Sequence, residues 1–143
     1  MKYKYRQPVN ANEVYNIADV AYHGSPWSSD VFHHDLANEH ASYLVLTVDE
    51  QPIGFVAGTL IIDELSISNV AILPAFQRQH MAELLLKEWF SLFDDGIRVL
   101  LEVRAKNIAA QKLYIKLGFQ EIAQRQSYYQ HPIDDALIME KIL

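Results

Sequence analysis

The sequence predicts an α/β fold, a mixed central sheet of about seven strands flanked by four helices in the order βααβββαβαββ. Three observations carry that expectation. β-Branched and apolar runs at 43–48, 53–62 and 65–72 are parted by the turn-forming stretches Asp49-Glu50-Gln51-Pro52 and Asp63-Glu64, as in consecutive antiparallel strands. From Gln79 the hydrophobic period becomes helical, with Met81, Leu84, Leu85, Trp89 and Leu92 on one stripe that ends near Asp94-Asp95-Gly96. An apolar run at 97–103 follows, and a helical crossover between two strands of one sheet demands parallel pairing.

The remaining elements follow from local chemistry. Tyr3 and Tyr5 alternate with Lys4 and Arg6 in a short first strand. Asn10 followed by Glu13 resembles a capping box, and Val14, Ile17, Ala18 and Ala21 recur at helical spacing. His23-Gly24-Ser25-Pro26 breaks that helix, and Ser28 caps a second one carrying Phe32 and Leu36. Ala110, Leu113, Tyr114 and Leu117 mark the last helix, with Asn107 as its N-cap and Gly118 as its stop. Strands at 119–125 and 136–142 close the sheet. Glycine and proline are scattered, with no repeat or linker, so residues 1–143 read as one domain.

Composition narrows the function classes. Half the residues are hydrophobic and 21% are charged, the balance of a folded globular chain. A net charge of −6 argues against nucleic-acid binding, which needs clustered Lys and Arg, and is compatible with a cationic partner. The absence of cysteine excludes disulfides, thiolate nucleophiles and Cys-based zinc sites. The histidines lack ligand spacing, so no metal is expected, and there is no G-x-S-x-G elbow. No stretch has the length of a membrane span and the N-terminus lacks a signal-peptide core, which makes a cytoplasmic location the default.

The chemistry is concentrated after Pro74. A strand (Val70, Ala71, Ile72) leads through Gln77-Arg78-Gln79-His80-Met81-Ala82 into a helix N-terminus, an arrangement that aims backbone N–H groups at a phosphate. Downstream lie Leu101-Glu102-Val103-Arg104, Asn107, Leu113-Tyr114, Leu117-Gly118-Phe119 and Tyr128-Tyr129; Ser25-Pro26-Trp27-Ser28 and Asn69-Val70-Ala71-Ile72 lie upstream. Together these strings resemble GCN5-related N-acetyltransferases (GNAT) across essentially the whole chain. Within that superfamily they are most similar to the ribosomal-protein-alanine N-acetyltransferase (RimI-type) subgroup.

The resemblance implies a set of roles. The loop matches Q/R-x-x-G-x-G/A except that His80 stands for the first glycine, and the N–H groups from Gln77 to Ala82 would wrap the pyrophosphate of acetyl-CoA. A helical His80 would cost little; a left-handed one would cost on the order of 1 kcal/mol. The helical case is expected, with coenzyme binding weakened but retained. Val70, Ala71 and Ile72 would pair their backbone with the pantetheine arm, one N–H polarising the thioester carbonyl. Asn107 would both cap its helix and bond the coenzyme.

Glu102 would be the general base, although Arg98 and Arg104 share its strand face and a surface ion pair is the alternative. Tyr114 would be the general acid, although tyrosine in an apolar helical stripe is also ordinary core. A peptide α-amine with a pKa near ~8 is an easier task for such a base than a lysine near ~10.4. The resemblance thus implies acetyl transfer to a protein N-terminus, such as the alanine of a ribosomal protein. A small amine, polyamine or aminoglycoside acceptor, and a non-catalytic domain weakened at His80, are the alternatives.

Overall fold

The computed structural model describes residues 1–143, and its elements follow the predicted order: β1 (Tyr3–Arg6), α1 (Ala11–Ala21), α2 (Ser29–Leu36), β2 (Ala41–Val48), β3 (Gln51–Ile61), β4 (Glu64–Ile72), α3 (Met81–Phe90), β5 (Arg98–Arg104), α4 (Ile108–Lys116), β6 (Gln120–Gln130) and β7 (Ile133–Ile142). The strands form one 7-stranded sheet in the order β1-β2-β3-β4-β5-β7-β6. Every pairing is antiparallel except β4 with β5, which α3 connects as a crossover.

Strand alternation divides the core into two layers. Tyr43, Val45, Phe55 and Ala57 face α1 and α2, where Val14, Ile17 and Phe32 are buried against them. Leu44, Leu46 and Val56 face the opposite way, toward Met81, Leu85, Leu86 and Trp89 of α3 and Tyr114 of α4. The caps are as read from sequence. Asn10 accepts from the Glu13 N–H at 3.0 Å, Ser28 from Val31 at 3.2 Å and Asn107 from Ala110 at 3.1 Å. Glu13 reaches back to the Val9 N–H and also takes both Arg6 guanidinium nitrogens at 2.8 Å, pinning α1 to β1.

Several boundaries move, each for a local reason. Asp49 and Glu50 both have positive φ (49° and 71°) and suffice for the hairpin, so β3 already begins at Gln51 and includes Pro52. Left-handed Ile62 (φ 58°) makes the next turn, and β4 starts at Glu64. Helix α3 stops at Phe90, short of the predicted Asp94-Asp95-Gly96, and isolated turns carry the chain onward. Leu92 is consequently 59% exposed and Leu84 lies at the surface; Leu86 takes their place in the buried stripe. The β6–β7 hairpin reaches further than expected because β6 is a polar edge strand, paired on one side alone, with little hydrophobic pattern to read.

Candidate active site

The sheet opens where its only parallel pairing ends. Strands β4 and β5 are paired at Glu64–Arg98, Leu65–Val99 and Ser66–Leu100, and no further. The cause lies on the other edge of β4. Asn69 opposes Ala57 while Ile67 opposes Gly58, so Ser68 is an extra residue, a bulge that turns β4 away from β5.

Register then dictates which backbone groups face the gap. The Leu73 N–H donates to Ile53, and antiparallel hydrogen-bonded pairs alternate, so Ala71 and Asn69 also bond to β3. Val70 and Ile72 fall between them and point their N–H and C=O groups away from β3, into the gap. Both carbonyls are already engaged. The Tyr22 hydroxyl donates to Val70 at 2.8 Å and the Gln77 Nε2 to Ile72 at 2.9 Å. What β4 offers to a chain lying in the gap is therefore two N–H donors. Ala71, expected among the contacts, is 2% exposed and its backbone belongs to β3, so it does not reach the gap.

The loop after β4 makes a second concavity, about 500 Å³, lined by Ile72, Arg78, His80, Met81, Lys112 and Lys116 among others. Arg78 and His80 are left-handed (φ 61° and 63°) with Gln79 between them outside that region, an alternation that turns successive N–H groups toward one centre. The Gln77 N–H is spent on Pro74 at 3.3 Å, whereas those from Arg78 to Glu83 have no acceptor in the protein. The donor run is thus shifted by one residue from the expected Gln77–Ala82. The side chains of Gln77 and Gln79 brace the loop itself, Gln79 donating to Ala75 at 3.0 Å. His80 is not helical as expected: with φ 63° and ψ 18° it occupies the conformation where a Cβ is disfavoured. A glycine would be unstrained there, and histidine is among the residues that tolerate it best.

Glu102 lies on the opposite side of the gap, in a concavity of about 650 Å³ shared with Trp27, Ser68, Asn69, Arg125, Tyr128 and Tyr129. It forms no ion pair with its strand neighbours. Arg98 binds Glu140 at 2.9 Å and Glu64 at 3.8 Å, while Arg104 donates to the Pro132 and His131 carbonyls and stacks over Tyr129 at 4.2 Å. The carboxylate instead acts on the tyrosines, pushing the Tyr128 phenol up. At Tyr129 burial does most of that work and Glu102 adds to it.

Tyr114 is buried in α4 with its ring edge-on to Phe119 at 5.7 Å, and its hydroxyl has no partner in the protein. Burial pushes its phenol well up, with Tyr22 and Tyr129 adding to the effect. Asn107 spends Oδ1 on the cap, leaving Nδ2 as the group open to a ligand. No group of three or more His, Asp or Glu side chains comes together as a metal site, and no helix is long and apolar enough to cross a membrane.

Three residues escaped the sequence reading. Tyr22 ends α1 and reaches Val70, Gln111 ties the carbonyls of Arg104 and Ala105 to α4, and Glu83 joins α3 to Lys116. The Tyr22 and Glu83 contacts link segments far apart in the chain, and no periodicity or local string signals any of the three.

A splayed β4–β5 pair, an anion-ready loop at α3 and a carboxylate among aromatic side chains on the other side of the gap define an acyltransferase of a particular class. The chain belongs to the acetyltransferase (GNAT) family, whose model matches residues 11–119. It is 40% identical over 125 residues to the ribosomal protein bS18-alanine N-acetyltransferase of Haemophilus ducreyi, covering 85% of this chain and 83% of that protein. The Salmonella typhimurium enzyme of the same name is 37% identical over 123 residues, 82% of this chain and 81% of its own. The crystal structure of the ribosomal-protein-S18-alanine N-acetyltransferase from Escherichia coli aligns with a TM-score of 0.84 at 30% identity, covering 99% of this chain and 92% of that one.

Proposed function

We propose that this acetyltransferase moves the acetyl group of acetyl-CoA to the α-amine of a protein N-terminus, the alanine of ribosomal protein bS18 for which its relatives are named. The observation that carries the reading is the pairing of the two concavities through the open β4 edge. One side is lined by free N–H groups and by Arg78, Lys112 and Lys116; the other holds Glu102 among aromatic side chains. The residues fit the coenzyme. Arg78 to Glu83 would hold its pyrophosphate by their N–H groups, Val70 and Ile72 its pantetheine arm, and Asn107 its amide groups through Nδ2.

When bound, acetyl-CoA supplies an activated acetyl thioester. Glu102 takes the proton that the amine loses as the new N–C bond forms, directly or through water. With an amine pKa near ~8, presenting the neutral form at pH 7 costs about 1.4 kcal/mol. An N–H of Val70 or Ile72 donates to the carbonyl oxygen as negative charge develops there. Tyr114 hydrogen-bonds the sulfur and yields its proton as the C–S bond breaks. A phenol is protonated at neutral pH, so the proton is in place when that charge appears.

Thermal shift with millimolar acetyl-CoA tests the coenzyme site, and absence of stabilisation favours a non-catalytic domain. Mass spectrometry on Ala-initiated peptides beside polyamines and aminoglycosides tests the acceptor. Glu102→Gln and Tyr114→Phe should each slow transfer by roughly 10²–10⁴-fold with coenzyme binding retained. Full activity in both would refute these roles.

A further inference from the structure

The cations around the loop are not all free to meet a phosphate. Glu83, in the first turn of α3, lines the same concavity as Arg78, His80, Lys112 and Lys116. Its side chain is 12% exposed, and its Oε1 lies 3.0 Å from the Lys87 Nζ. Its Oε2 lies 3.0 Å from the Lys116 Nζ and 3.5 Å from the His80 Nδ1. Lys112 and Arg78 form no ion pair. The backbone of Glu83 closes the run of free donors while its carboxylate brings a negative charge to their edge.

We propose that Glu83 is an internal competitor for the coenzyme's phosphates, a residue that limits affinity and hastens CoA release. The inference rests on the coenzyme reading given above. Lys116 comes from α4 and is the cation through which that helix closes on the loop; Glu83 holds it by an ion pair that a phosphate must share or displace. Ion pairs whose cations stay exposed, as Lys116 and Lys87 do, exchange easily, because little net free energy holds them. What exchange does not remove is the repulsion between the carboxylate and a phosphate in the same concavity. The cradle thus gains donors from its backbone and gives back part of that attraction through one side chain. For a transferase that must discharge CoA in every cycle, release is a step on which such a residue acts.

Isothermal titration calorimetry with CoA and with S-acetylpantetheine, which lacks the pyrophosphate, separates this role from a structural one. Glu83→Gln should bind CoA roughly three- to tenfold more tightly, with a steeper salt dependence and slower release in stopped flow. Its affinity for S-acetylpantetheine should not change, and its melting temperature should fall because ion pairs and a charge suited to the helix N-terminus are lost. Glu83→Asp, which retracts the carboxylate but keeps the charge, guards against misfolding and should give a smaller gain. Lys116→Gln should weaken CoA binding and shrink the benefit of Glu83→Gln when the two are combined. Unchanged or weaker CoA binding by folded Glu83→Gln overturns the proposal, as does an equal shift for S-acetylpantetheine. Failure of the unaltered protein to bind CoA overturns the coenzyme reading with it.

Discussion

His80 invites a paired substitution whose outcome depends on one dihedral angle. At φ 63° and ψ 18° its Cβ crowds the backbone, a strain of about 1 kcal/mol. His80→Gly removes that strain but adds freedom to the unfolded chain, worth about 0.4–1 kcal/mol in the opposite direction. The side chain is 77% exposed and lies 3.5 Å from Glu83, so the lost contact contributes little. The glycine variant should therefore match the parent within about 0.5 kcal/mol. His80→Ala keeps the Cβ and loses the polar ring that helps histidine tolerate this region. With the same entropy offset, it should be less stable than glycine by about 0.5 kcal/mol, or about 1.5 °C in melting temperature for a chain of this size. Urea denaturation followed by tryptophan fluorescence reads both variants at a common m-value. Alanine equal to or above glycine would refute the left-handed assignment. Calorimetry on the same variants should show tighter acetyl-CoA binding by His80→Gly, since glycine lets the backbone approach a phosphate closely; equal affinities would absolve the imidazole.

Three other outcomes follow from the packing and charges. In Gly58→Ala the new Cβ would lie 2.7 Å from both the Ser66 carbonyl and the Trp89 ring, which is fixed by its bond to Ser42, so unfolding experiments should show a loss of about 1–3 kcal/mol. Tyr22→Phe removes the donor to the Val70 carbonyl and should cost about 1 kcal/mol by chemical denaturation; no loss would mean that water replaces the hydroxyl. Lys116 and Lys87 depress the Glu83 carboxyl to about 2, below the ~4.3 of an unfolded chain. Its stabilisation is therefore complete above about pH 5 and lost as pH falls toward 2, so an acid titration of Glu83→Gln should lack that part of the destabilisation.

Much of the fold was legible because its signals are local. Asn10, Ser28 and Asn107 cap helices through their own side chains, and each was found at its predicted place. The end of α3 was less legible, because the apolar residues Leu92 and Phe93 continue the pattern after the helix has stopped. Site residues sort in the same way. Glu102 and Tyr114 could be nominated from strings, whereas the freedom of Glu102 from Arg98 and Arg104 depends on where Glu140, Glu64 and the β6–β7 turn lie.

By itself the sequence determined the order of elements, the parallel crossover through α3 and the place of the loop that follows β4, since hydrophobic period, caps and short strings are carried by neighbouring residues. Only the tertiary structure decided which groups that loop and strand present. A bulge at Ser68 and the two-residue alternation of β4 turned Val70 and Ile72, not Ala71, toward the gap. Backbone geometry made His80 left-handed and spent the Gln77 N–H inside the loop. The ion pair between Glu83 and Lys116 spans two helices. Polarity, register and charge pairing arise between segments far apart in the chain, and they exist only once those segments are packed.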